Sequence, residues 1–207
     1  MRAPERENRN VARGAVTREH LLSVATALFA ERGYEGTSIE AVLQESGVSR
    51  GSLYHHFKGK ETLFEAVLEA LETDVGRRTM EAAVLAPSPA GMLRAGCLAW
   101  VELAGDPVVQ RILLIDAPSV LGWDRWRAFE ERHALGLIKG VLGAIADEGG
   151  LAPDLVDVFA HVVLATMNEI ALLVARADQP DAAMRVGSAA IDEVLSRLLG
   201  APGDTPT

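Results

Sequence analysis

Apolar residues recur every three to four positions along almost the whole chain, and no stretch alternates apolar and polar residues over the length of a strand. A period near 3.6 puts apolar side chains on one helix face, whereas a strand needs a period of two. The pattern predicts an all-α protein of about nine helices. Pro, Gly and capping residues mark the breaks. The first helix starts near Thr17, turns Leu21, Leu22, Ala25, Leu28 and Phe29 inward, and stops at Arg32-Gly33. Thr37-Ser38-Ile39-Glu40 fits a capping box, with Thr37 as cap of a second helix. Ser46-Gly47-Val48 is a tight turn, and Ser49 caps a short third helix with Leu53 and Phe57 inward. A break at Lys58-Gly59 launches a fourth helix, to about Arg78. Ser88-Pro89 and Asp106-Pro107 each join an N-cap to a Pro at the first helical position, starting helices over about 89–104 and 107–115. Residues 116–122 read as a loop. Long helices follow from Trp123 to Asp147, from Pro153 to about Ala177, and from Pro180 to about Leu199. Residues 1–14 read as a flexible arm and 201–207 as a disordered tail.

Bulk properties exclude several classes. With 207 residues, 49% hydrophobic and 24% charged, the chain has the composition of a globular protein with its own core. Cys97 is the one cysteine, so no internal disulfide forms and a reducing cytoplasm suits the chain. The start MRAPERENRN has no apolar run behind it, unlike a signal peptide. The apolar segment 155–175 contains Asp157, His161, Asn168 and Glu169, which suits a buried helix and not a membrane partner. The formal charge is −9, but it is uneven. Residues 1–60 hold nine Lys/Arg against seven Asp/Glu, and the remainder eleven against twenty-two. A local cationic face can therefore meet phosphate on an acidic protein.

That face is concentrated in GVSRGSLYHHFKGKETLF, residues 47–64. Two helices joined by a tight Gly-containing turn, the second short and polar on one side, describe a helix-turn-helix, whose second helix enters the major groove. Arg50 suits guanine or phosphate, Gly51 and Ser52 allow close approach, Tyr54 and the histidines suit phosphate or base edges, and Lys60 at a helix start suits phosphate. The longer string TSIEAVLQESGVSRGSLYHHFKGKETLF, after TREHLLSVATALFAERGYEG, resembles the N-terminal DNA-binding domain of TetR-family transcriptional regulators. The resemblance is close over about residues 15–64. It implies a DNA-binding domain over 15–60, with Thr37, Ser38, Ser49, Arg50, Ser52, Tyr54, His55 and Lys60 touching a double-stranded operator. Two positions depart from the pattern: Leu43 stands where many relatives have alanine, and Gly59 replaces a polar N-cap.

The resemblance further implies a regulatory domain over 61–200, a homodimer made by the last two long helices, and a small-molecule effector bound among helices 4 to 8. Apolar stripes carrying Val158, Val162, Ala165, Ala190, Ile191, Val194, Leu195 and Leu198 suit that dimer interface. Met92, Cys97, Trp100, Trp123, Trp126, His133, Phe159, Met167 and Asn168 combine apolar walls with few polar handles, as a mainly hydrophobic ligand requires. Trp123 and Trp126 also suit plain core packing. Gly136, Gly140 and Gly143 form one stripe, fitting either the close approach of another helix or room for a ligand. Metal chemistry has little support. His55 and His56 point about 100° apart on a helix, and Glu130-x-x-His133 lacks the second pair that a carboxylate-bridged site needs. No catalytic triad, Cys-His pair or phosphate-cradling loop is present, so the reading is no enzyme, no metal and no cofactor. A ligand-responsive repressor is the function expected. The alternatives are a small helical enzyme or carrier using the C-terminal cavity, and a same-fold activator without an inducer.

Overall fold

The computed structural model describes the backbone of residues 3–199 and the side chains of 12–199. Among the described residues there are nine helices and no strand. They are α1 (Ala3–Gly36), α2 (Ile39–Ser46), α3 (Arg50–His56), α4 (Lys60–Ala83) and α5 (Pro89–Leu103). Helix α6 runs without a break through Pro107–Val109, a π-helical segment Gln110–Asp116, and Ala117–Leu121. Helix α7 joins Trp123–Glu130, a second π segment Glu131–Leu135, and Gly136–Asp147. A 3₁₀ turn, Pro153–Leu155, leads into α8 (Val156–Ala175), and α9 spans Pro180–Leu199.

Several boundaries differ from the sequence expectation. Helix α1 begins at Ala3, so the segment read as a flexible arm is helical from there. Thr17 lies inside it, its hydroxyl donating to the carbonyl of Arg13 instead of capping a start. The expected tail, 201–207, lies outside the described residues. Ser38, not Thr37, caps α2, with its hydroxyl accepting from the Ala41 N–H. The expected loop over 116–122 is mostly helix: α6 continues to Leu121 and ends at Gly122, where φ is +75°. The ring of Pro118 cannot accept a regular α-turn without clashing with the carbonyl four residues back. The widened π turn immediately before it is a local way to accommodate that ring.

Two interior clusters organise the helices. The first gathers Leu21, Phe29, Val42, Leu53, Leu63 and Phe64 of α1–α4 with Val109, Ile112 and Leu113 of α6. Phe29, Tyr34 and Phe64 meet within it, Phe64 standing edge-on to both partners at 5.0 Å, a geometry worth about 0.5–1.5 kcal/mol per pair beyond burial. Leu43, the larger residue at the α2 position, is half-buried against this cluster. The second cluster packs α5, α7, α8 and α9 around Val101, Leu142, Val163 and Ile191. Because α6 and the first half of α4 share the first cluster, the helix-turn-helix is seated on the larger domain and not merely tethered to it.

Candidate nucleic-acid interface and internal cavity

The turn between α2 and α3 follows from two residues. Gly47 takes φ +65°, and its N–H donates to the Leu43 carbonyl, closing α2. Ser49 then caps α3 by accepting from the Ser52 N–H. With Leu53 and Phe57 buried, α3 must present its opposite side outward. That side carries Arg50, Gly51, Tyr54 and His55, all exposed, with Tyr54 at 45% exposure. Ser38 and Ser49 are exposed at the adjoining helix starts, and Ser52 is half-buried. Arg50 pairs with Glu40 of α2 at 2.9 Å, both largely in solvent. The hydrogen bond within Glu40's own residue and the Arg50 guanidinium hold that carboxyl below its ordinary range. A surface pair of this kind is weak enough to open for a phosphate or base.

Two predicted contacts are placed differently. Thr37 is buried, with its hydroxyl between the carbonyls of Leu28 and Gly33, at 3.1 and 2.9 Å. It fastens the α1–α2 junction and does not face outward, because Ser38 takes the cap. Lys60 is half-buried, its ammonium donating to the Tyr34 carbonyl at 2.9 Å and lying 4.0 Å from the Tyr34 ring centre. Behind it, Thr62 accepts from the Gly59 N–H at 3.1 Å, so the start of α4 has a partner despite the missing polar cap.

Helices α4 to α8 line a partly open cavity of ≈ 970 Å³, the solvent at its mouth included. Of the residues expected there, Met92, Cys97, Trp100, Trp126, His133, Met167 and Asn168 line it. Trp123 does not: it is 67% exposed and lies tilted beside Trp126 with ring centres 5.5 Å apart. Phe159 packs against the second core, outside the cavity wall. Helix 4 is in the expected pocket, but the sequence reading names none of its lining residues, among them Glu72, Val75, Thr79 and Met80, nor Glu130 of α7. Glu130 was weighed there only as a metal ligand, and an acidic residue on a helix gives no sign of facing inward. Its side chain is buried, with one oxygen accepting from Asn168. Burial raises its affinity for a proton. His133 lies 3.2 Å from Glu69, and the Cys97 thiol is pushed up to about 12 by burial, so it is inert at neutral pH. The glycine stripe of α7 meets open space: a Cβ added at Gly136, Gly140 or Gly143 would touch nothing within 4 Å. The close approach of another helix of the same chain is thereby excluded for that stripe.

The predicted dimer residues divide into two groups. Val158, Val162 and Ala165 are exposed on α8, and Ala190, Val194 and Leu198 are half-buried on α9. Ile191 and Leu195 are buried in the chain's own second core and are unavailable to a partner. Leu155 and Leu173 of the α8 region and Val186 of α9 are exposed and apolar instead. The segment Pro153–Ala175 is long and apolar enough to span a membrane by length and composition alone, yet its inward face is packed with core residues.

A capped tight turn presenting a short polar helix, seated on a helical domain with an internal cavity, defines a helix-turn-helix regulator architecture. Residues 21–67 match the model for bacterial regulatory proteins of the tetR family, and residues 90–198, more than half the chain, match the tetracyclin repressor-like C-terminal domain. The HTH-type transcriptional regulator AcrR of Shigella flexneri is 40% identical over 65 residues, which cover 31% of this chain and 30% of AcrR. The HTH-type transcriptional repressor KstR2 of Mycobacterium tuberculosis is 28% identical over 141 residues, covering 67% of this chain and 70% of that protein. A crystal structure of a TetR-family transcriptional regulator from Pectobacterium atrosepticum shares 30% identity with a TM-score of 0.79, over 92% of this chain and 97% of that one. The chain belongs to the TetR family of transcriptional regulators.

Proposed function

We propose that the protein is a homodimeric transcriptional repressor that leaves its operator when a small molecule fills the α4–α8 cavity. The observation that carries this is the outward face of α3, where Arg50, Tyr54 and His55 stand exposed on a helix whose other side is locked by Leu53 and Phe57. Two such helices spaced about one DNA turn apart, ~34–36 Å, enter successive major grooves. The dimer that sets this spacing uses the exposed apolar stripe of α8 with the outer side of α9, paired with their symmetry mates as a four-helix bundle. An effector that prefers another α4 setting changes the spacing and lowers operator affinity, by no more than its differential affinity for the two states.

Selection of bound fragments from random genomic DNA, followed by footprinting, tests the reading. One palindromic operator is expected, upstream of or overlapping a promoter. Arg50→Ala should cost ~1–3 kcal/mol at that operator and relax one base position. Retention of no sequence by the pure protein, or an unchanged operator affinity in Arg50→Ala, Tyr54→Ala and His55→Ala together, rejects α3 as the reading helix.

A further inference from the structure

We propose that the cavity is built for a lipophilic organic cation, such as an aromatic ammonium or phosphonium, in preference to a neutral or anionic molecule of the same shape. This rests on the cavity being the effector site, and it adds the ligand's charge. Carboxylates enter the wall from two sides, Glu72 on α4 and Glu130 on α7, and among the described residues no Lys or Arg lines the cavity with them. Glu130 is only 6% exposed. Its Oε1 accepts from Asn168, while its Oε2 is buried without a hydrogen-bond partner. The nearest guanidinium, Arg127, stands 3.7 Å from Oε2, close enough to attract but beyond hydrogen-bond reach. A buried carboxyl with a bare oxygen carries a desolvation cost that a donor or a cation would remove.

Glu72 compounds the problem. It lines the same cavity; burial, then Glu130, then Glu69, push its carboxyl up to about 7. Near neutral pH Glu72 is therefore part-protonated, and an incoming positive charge can displace that proton. The imidazole of His133 is engaged with Glu69. Around these charges the wall is apolar and aromatic, with Trp100 and Trp126 offering faces that attract an onium group. The Trp100 Nε1–H and the Thr79 hydroxyl also lack partners, so an oxygen acceptor on the same molecule has a place. Among the described residues no group of three His, Cys, Asp or Glu gathers to hold a metal ion.

Calorimetry on the full-length protein tests the charge with ligand sets of matched shape. One set is 2-naphthylmethylamine, 2-naphthylmethanol and 2-naphthoate; the other is methyltriphenylphosphonium and triphenylphosphine oxide. At least one cation should bind about 10-fold or more tightly than its neutral counterpart, a difference of ~1.4 kcal/mol, and the naphthoate should bind weakest. Cation binding at pH 7 should release protons, seen as a heat that depends on the buffer's ionisation enthalpy. The isosteric pair Glu72→Gln and Glu130→Gln, checked for native circular dichroism and each also made singly, should abolish both the preference and the proton release. Neutral binding equal to or tighter than cation binding, no cation binding in either set, or a preference surviving the double substitution overturns the proposal. Operator affinity, measured in parallel, separates this from the effector reading. Neutral molecules that release DNA would keep that reading and sink this one, while a selective cation that leaves DNA affinity unchanged would do the reverse.

Discussion

Glu72 ties the stability of the effector-free protein to pH. An ordinary glutamate titrates near 4.5, and here the folded-state value is about 7, with Glu69, Glu130 and His133 around it and Arg127 beyond Glu130. Between those values the folded state holds more protons than the unfolded chain, so stability falls as pH rises. The contribution is fully present below about pH 4.5 and is lost through pH 7. Melting temperature, measured without ligand from pH 5 to 8, should therefore decline across that range. Glu72→Gln, which cannot ionise, should flatten the decline and melt at least ~2 °C higher than the parent at pH 8. A parent and variant with parallel profiles would show that cavity water solvates the carboxylate fully. At this scale the sequence was a mixed guide. The α3 face was legible because Leu53 and Phe57 dictate which side turns out. Thr37 was misread because Thr and Ser are both good caps, and only the buried carbonyls of Leu28 and Gly33 decide which of them turns inward.

Element boundaries were legible wherever a cap and a Pro coincide, as at Ser88-Pro89 and Asp106-Pro107, since both residues act locally. They were not legible in α6, where a π turn absorbs Pro118 and keeps the chain helical to Leu121. Helix faces follow the same division. The apolar richness of α8 announced two buried sides, but periodicity alone could not tell the chain's own core from a partner's. The structure separates them: Val163, Met167 and Val174 point inward, while Val158 at 57% and Leu173 at 64% exposure stay outside. With Val162 they form one stripe at helical spacing. Placing Asp at both Val158 and Val162 leaves the chain's own core untouched and would bury unpaired charge in a dimer. Sedimentation equilibrium should show monomers, and operator affinity should fall with the loss of the second half-site. A double variant that remains dimeric puts the interface on another face.

Across the whole molecule, a short run of hydrogen bonds joins α6, which lines the cavity, to the junction of α1, α2 and α4. Leu113 and Leu114 line the cavity from the widened turn of α6, and Asp116 closes that same turn. Asp116 is buried, and its Oδ2 accepts from the Tyr34 N–H at 2.7 Å and from Arg111 at 3.3 Å. Tyr34 in turn offers its carbonyl to Lys60 of α4 and to the N–H of Thr37, at 2.9 and 3.2 Å, just before α2. The joint is shaped by Gly33. It adopts φ +71°, and the Arg111 guanidinium occupies the place that a side chain would take. None of this was visible in the sequence, because the partners lie 82 residues apart and Asp116 sits in a stretch that reads as a loop. A ligand that shifts the α6 backbone at Leu113 or Leu114 moves Asp116 as well, and with it the point where α1, α2 and α4 meet. Asp116→Ala removes the shared acceptor and leaves the Tyr34 N–H unpaired, costing ~1–3 kcal/mol of stability. Effector binding to the free protein should persist, because Asp116 does not line the cavity. The factor by which a saturating effector weakens the operator should shrink toward one. By reciprocity, the factor by which operator DNA weakens the effector should shrink equally. Titrating operator with and without effector, in parent and variant, measures both arms. A full coupling factor in Asp116→Ala would assign transmission to α4 alone, which runs from Lys60 at the joint directly into the cavity wall at Glu72.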